Sequence, residues 1–161
     1  MKGKKKGFTL VELLAVIVIL AVILVIAVPN VLSIINKSRN DSFLSTAKMV
    51  VSAARLKAST DSTYVPANNL GAIGILMTDL DVENIQRDVD GGTYGANSYV
   101  YVVKDDTGQI HYYITLQGSK RAINLIESNA LDTAVTGAAT TADPIVATGT
   151  VTLGGQAYTI E

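Results

Sequence analysis

Residues 8–28 form an apolar stretch in which Glu12 is the only charged side chain, and Pro29 follows it directly. At 1.5 Å per residue these 21 positions make a helix about 31 Å long, the hydrocarbon thickness of a bilayer. Beyond Pro29 the pattern changes. Val31, Ile34 and Ile35 give way to Lys37, Ser38, Arg39, Asn40 and Asp41, after which Phe43, Ala47, Val50, Val51, Ala54 and Ala58 recur at spacings of three and four. Lys37, Ser45, Lys48, Ser52, Arg55 and Ser59 fall mostly on other faces, so the second stretch reads as amphipathic. The pattern predicts one helix over 9–59, kinked at Pro29, which removes a hydrogen bond and crowds the preceding turn. A second reading stays open: residues 36–41 form a loop, and the polar run from Ser38 to Ser42 caps a separate helix.

The rest of the chain changes period. Residues 60–69 carry turn residues, and 70–80 are apolar enough for a short helix, although Gly71 and Gly74 weaken it. Residues 98–104 and 109–116 are rich in Tyr, Val and Ile and flank Asp105-Asp106-Thr107-Gly108, the signature of a β-hairpin. Alternation puts Val100 and Val102 with Ile110, Tyr112, Ile114 and Leu116 on the sheet face expected to cover Phe43, Ala47, Val50 and Ala54. Tyr99, Tyr101, Val103, His111, Tyr113 and Thr115 then form the opposite face, suited to solvent or a neighbouring subunit. Residues 121–126 fit a strand or a short helical turn. Residues 130–149, rich in Ala, Thr and Gly, read as a long loop or weak edge strands, and 150–160 as a closing hairpin turned at Gly154-Gly155.

Charge adds direction to this pattern. Of 13 basic residues, Lys2, Lys4, Lys5 and Lys6 precede the apolar run, and the other nine face 14 acidic residues, so the formal charge of −1 hides a polarised chain. The positive-inside bias places the N-terminus in the cytoplasm and the acidic body outside. Bulk binding to nucleic acid is disfavoured, because phosphate neutralisation needs clustered Lys and Arg. The chain has no cysteine, so a small exported domain must be held by packing, a metal or neighbours rather than by a disulfide.

Glu12 separates the readings of the first segment. A cleavable secretory signal has an apolar core of about 7–15 residues, whereas the run from Leu13 to Val28 is already longer and begins beside an acid. A plain one-pass anchor explains length and orientation but gives no role to a carboxylate that costs on the order of 2.5–3.5 kcal/mol at a helix centre. Cutting the chain between Gly7 and Phe8 removes all four lysines and leaves an amine four residues before Glu12. Within one helix that amine can reach its own Glu12; in packed helices it can instead pair with the Glu12 of an adjacent copy, a pair that sets axial register.

The order Lys6-Gly7-Phe8-Thr9-Leu10-Val11-Glu12-Leu13 resembles the processing site of type IV prepilins and related pseudopilins. The resemblance covers residues 4–31 closely and the rest only in general organisation. It implies an α+β pilin fold, with a long N-terminal helix packed against a small antiparallel sheet. Gly7 would be the last leader residue, Phe8 the N-methylated first mature residue, Glu12 the residue that sets assembly register, and Pro29 a helix-loosening proline. The implied organisation is leader 1–7, filament-core helix 8–29, amphipathic continuation 30–59, connector 60–97 and sheet with C-terminal region 98–161. The implied partners are a peptidase that also methylates, a platform protein, an assembly ATPase, minor pilins and further copies in a helical filament. The chain would cross the plasma membrane once before assembly and then stand on the cell surface. Adhesion, twitching motility, biofilm formation and DNA uptake are roles of such filaments. A minor pilin or secretion-system pseudopilin, and outside the family a bitopic protein with a small binding domain, are the alternatives. Many relatives tie their C-terminus with a cysteine pair, which this chain lacks.

Candidate chemistry elsewhere is thin. His111 has no cysteine, second histidine or matched carboxylate for a partner and reads as a surface or core strand residue. Asp79, Asp81, Glu83, Asp88 and Asp90 suggest a calcium loop, but only Asp88-Val89-Asp90-Gly91 echoes an EF-hand, and no acid follows at the required distance. They read as a solvated acidic loop. Gly91-Gly92-Thr93-Tyr94-Gly95 lacks the lysine of a phosphate loop, no nucleophile stands with a base, and neither an enzyme activity nor a cofactor is implied.

Overall fold

A computed structural model describes residues 7–80, 82, 87–133 and 148–161. A single helix, α1, runs from Leu10 to Thr60 through Pro29. The loop reading of residues 36–41 is therefore set aside. The chain divides into two compact units, the first ending at Ser38 and the second beginning at Arg39. In the first unit the apolar side chains of α1 are exposed along its length, from Leu10 at 80% to Ile34 at 68%.

The second unit is a helix-on-sheet body. Its strands are β1 (Gly71–Leu76), β2 (Tyr99–Lys104), β3 (Ile110–Gln117), β4 (Ala122–Glu127), β5 (Thr150–Leu153) and β6 (Gln156–Ile160), in the order β4-β3-β2-β1-β6-β5. The β2–β3 hairpin pairs Tyr101 with Tyr113 and Val103 with His111. Phe43, Ala47, Val50 and Ala54 of α1 are fully buried and pack in one core with Ile75, Val100, Val102, Ile114, Leu116 and Ile123. Phe43 fills the space left by Gly118, where a Cβ would lie 2.8 Å from its ring.

Three expectations are corrected. The short helix expected over 70–80 is strand β1 followed by a 3-10 turn at Met77–Asp79. Its β-branched residues Ile73 and Ile75 pair with Val102 and Val100, and Gly71 lies so near Glu161 and the Asn68 carbonyl that a Cβ would meet them at 2.4 and 2.9 Å. The sheet is mixed rather than wholly antiparallel, because β6 runs parallel to β1 through Gly71–Thr159 and Ala72–Ile160 pairing. The tyrosine face is a second core: Tyr99 and Tyr101 are 1% exposed and pack with Ala72, Val103, Tyr113, Val151, Leu153 and Tyr158. It is covered because the sheet curls into a half-barrel and brings the β5–β6 turn over β3. A Cβ on Gly154 would lie 2.7 Å from the Tyr113 hydroxyl. The strand reading of residues 121–126 holds from Ala122, where β4 begins. Of the expected loop at 130–149, residues 134–147 lie outside the described residues.

The last residue closes this body without a disulfide. The Glu161 backbone N–H donates to the Ala72 carbonyl at 3.0 Å, and its side chain accepts from the backbone N–H groups of Ala67 and Asn68 at 2.6 and 3.0 Å. Desolvation opposes ionisation of this carboxyl, but those two donors outweigh it and hold the pKa below its usual value. A depressed carboxyl pKa contributes stability above the unfolded value and loses it as pH falls through the folded one. Replacing Glu161 by Gln is expected to cost on the order of 1 kcal/mol at neutral pH, and the gap to the wild type should close in acid. Thermal melts of the full chain in detergent micelles from neutral to acidic pH check both parts.

Candidate processing and assembly segment

Helix α1 begins with a reciprocal cap. The Thr9 backbone N–H and hydroxyl both donate to Glu12 Oε2 at 2.8 Å, and the Glu12 N–H points back to Thr9 Oγ1 at 3.3 Å. The Thr9 carbonyl accepts the first helical bond from the Leu13 N–H at 3.2 Å. Thr9-Leu10-Val11-Glu12 is thus a capping box, in which an N-cap threonine and an acid three residues on satisfy each other's backbone groups. Thr9 is the functional residue that hydrophobic patterning overlooked. The T-x-x-E spacing was its signal.

The rest of the segment is bare. Phe8 is 90% exposed, and a Cβ added to Gly7 would meet nothing within 4 Å. Among the described residues nothing packs against that position. Farther on, Pro29 sits inside α1, and the Asn30 side-chain amide donates to the Ile26 carbonyl at 3.2 Å, adding a bond in the turn that the proline weakens. One window of this helix is long and apolar enough to cross a membrane, and none of it is buried within the chain.

The acidic loop is corrected by the geometry, for Asp88 and Asp90 are buried rather than solvated. Asp88 Oδ1 accepts from the N–H groups of Asp90 and Gly92 at 2.9 and 2.8 Å, and Oδ2 accepts from the Ser119 N–H. Burial would raise the Asp88 pKa, yet these donors leave it lowered. Asp90, with a side chain 1% exposed, lies 3.0 Å from Arg39 Nη1 and 3.0 Å from Arg121 Nε. The latter is an ion-pair contact without hydrogen-bond alignment. Arg121 donates to Asn40 Oδ1 and, at 3.3 Å, to Asp90 Oδ1. These acids are occupied by N–H groups and guanidinium groups, and they fasten the 88–92 loop to α1 and to the β3–β4 connection. Asp81 and Glu83 lie outside the described residues. Among the described residues no group of three or more His, Cys, Asp and Glu is arranged to hold a metal ion.

His111 is not an isolated strand residue. Its Nδ1 lies 2.9 Å from Glu127 Oε1 and its Nε2 3.1 Å from Asp105 Oδ2. The matched carboxylates escaped the linear pattern because Glu127 reaches His111 only through β3–β4 pairing.

Residues 2–28 match the prokaryotic N-terminal methylation motif. No curated protein and no solved structure matches the chain. With that prepilin-like motif, a long apolar N-terminal helix and a curled sheet against the helix's second part, the chain has the α+β fold of the type IV pilin family.

Two substitutions probe these contacts. Thr9→Val should cost about 1 kcal/mol of helix stability and speed amide exchange at residues 10–13, whereas Thr9→Ser should not; hydrogen exchange of the full chain in micelles distinguishes them. Asp90→Ala should destabilise the second unit by about 3 kcal/mol, because Arg121 is left buried with its charge unmatched. Denaturant unfolding in the same micelles measures that loss.

Proposed function

We propose that this chain is a type IV prepilin and that its own helix, after processing, becomes the core of a filament. The observation that carries the reading is the methylation motif over 2–28 leading directly into a helix whose apolar side chains are exposed along the first unit. Such a surface needs lipid before assembly and other copies after it.

In this reading a membrane peptidase cuts between Gly7 and Phe8 and methylates the Phe8 amine. The openness around Gly7 supports it: glycine meets a demand from outside the chain, such as a narrow peptidase cleft. Glu12 then sets register. The Thr9 cap uses Glu12 Oε2, leaving Oε1 for an amine on a neighbouring copy, so a subunit crosses the bilayer with its acid partly satisfied and docks by completing the pair. Pro29 supplies a weak turn where the helix loosens in the filament. The body from Arg39 onward forms the outer surface. The precursor crosses the plasma membrane once with its N-terminus cytoplasmic; a platform protein and an assembly ATPase extract it, and minor pilins join it. The role is mechanical, and adhesion, twitching, biofilm formation and DNA uptake are the outputs such a filament serves. A minor pilin or pseudopilin shares the same processing and differs in abundance within sheared filaments.

Mass measurement of the mature N-terminal peptide tests the reading. Expected is a peptide that begins at Phe8 and is one methyl group heavier than unmodified; retention of Met1 to Gly7 in native material defeats it. Glu12→Ala should leave cleavage intact and reduce sheared filament at least tenfold, read by immunoblot of the filament fraction against total protein.

A further inference from the structure

The chain's single histidine stands between two carboxylates from different elements. Asp105 belongs to the β2–β3 turn and Glu127 ends β4. Each ring nitrogen meets a carboxylate oxygen, at 2.9 and 3.1 Å. A neutral imidazole has one N–H and one lone pair, so it satisfies one of these contacts and opposes the other; only the imidazolium donates to both. We propose that His111 is a proton-operated bolt that ties the β2–β3 turn to the end of β4 when doubly protonated and lets go of the turn when it loses one proton.

The geometry also says which side opens. Asp105 Oδ1 already accepts from the Thr107 N–H, the Thr107 hydroxyl and the Gln109 N–H at 2.9, 2.7 and 2.7 Å. The Thr107 hydroxyl is the largest influence on this carboxyl; against desolvation, and with the Gln109 amide and the His111 ring, it pushes the pKa down to about 2. So poor a proton acceptor, in a turn that holds itself together, loses least when the ring withdraws. The remaining proton stays on Nδ1 with Glu127, the nearer partner, and the Nε2 lone pair then faces Asp105 Oδ2.

The other groups around the bolt do not replace it. Tyr113 on β3 and Tyr158 on β6 feel the charge of Glu127, and Tyr158 also that of Asp105 and Asp106, but desolvation is the main cause that raises both phenols, and they stay neutral while His111 titrates. Lys104, at the end of β2, donates to the Ala67 carbonyl instead. Val103, the cross-strand partner of His111, belongs to the tyrosine core, so the bolt sits at the rim of that core. The Glu127 and Asp105 contacts, in that order, raise the His111 pKa against desolvation. A raised histidine pKa means that the stabilisation is complete below the unfolded value, about 6.5, and is lost as pH rises through the folded value.

The test uses the full chain in detergent micelles with 15N-labelled histidine, which gives one pair of ring signals. Expected are two protonated nitrogens at pH 6.5 and below, a midpoint above the unfolded value, and an Nδ1–H tautomer on the alkaline side. Thermal melts should fall as pH rises through that midpoint. In Asp105→Asn the Oδ1 atom keeps the turn bonds while the new amide donates to a neutral Nε2, so the midpoint should drop and the alkaline loss of stability should shrink, the Glu127 contact being left in place. A midpoint at or below that of unfolded histidine, an Nε2–H tautomer, or the same pH slope in Asp105→Asn would overturn the proposal. The titration needs no variant to fold.

Discussion

An uncovered apolar helix surface governs this molecule. From Leu10 to Ile35 every large aliphatic side chain of α1 is at least two-fifths exposed, and water cannot be the lasting neighbour of so much hydrocarbon. Removing it from water stabilises by roughly 25 cal/mol per Å², so a non-aqueous neighbour for the segment is part of its folded state. The polar features of the segment follow from that surface. Glu12 has a partner within the same chain, in the Thr9 cap.

From Arg39 onward the same helix obeys different physics. Its apolar positions narrow to one stripe, and that stripe is buried by the sheet rather than by a neighbour. The body has two cores, one between helix and sheet and one inside the curl of the sheet. In the place of a disulfide it has several polar ties. Asp90 with Arg39 and Arg121 holds the connecting loop, Asp88 with Ser119 shapes it, and Glu161 fixes the last strand. Each joins residues far apart in the chain, and those of Asp88 and Asp90 rely on charge within a desolvated setting, where such pairs carry more energy than on an open surface.

These ties also divide the acidic residues into two kinds. Asp88 and Asp90 are internal fasteners, whereas Asp105 and Glu127 stand at a partly exposed rim around an imidazole. Among the described residues the acids are therefore not a uniformly solvated set. The same residue type serves burial, turn formation and proton binding according to which donors face it.

What the amino-acid order determined was local. An apolar run with one acid near its start, a proline after it and a spacing of three and four beyond it specify a long helix and its buried stripe, because helix formation and amphipathicity depend on neighbours a turn away. The β2–β3 hairpin was legible for the same reason: alternation and a turn sequence are short-range. Thr9 was legible too, as half of a T-x-x-E box with Glu12. Tertiary structure alone decided that 71–76 is a strand, since its pairing partners on β2 and β6 lie 23–31 and 88 residues away in the sequence and Gly74 argues locally for neither helix nor strand. It alone turned the tyrosine face inward, by curling β5 and β6 over β3, and it alone brought Glu127 to His111 and Arg121 to Asp90. Long-range contacts of this kind are chosen by what the whole sheet can bury, a quantity that no window of sequence contains.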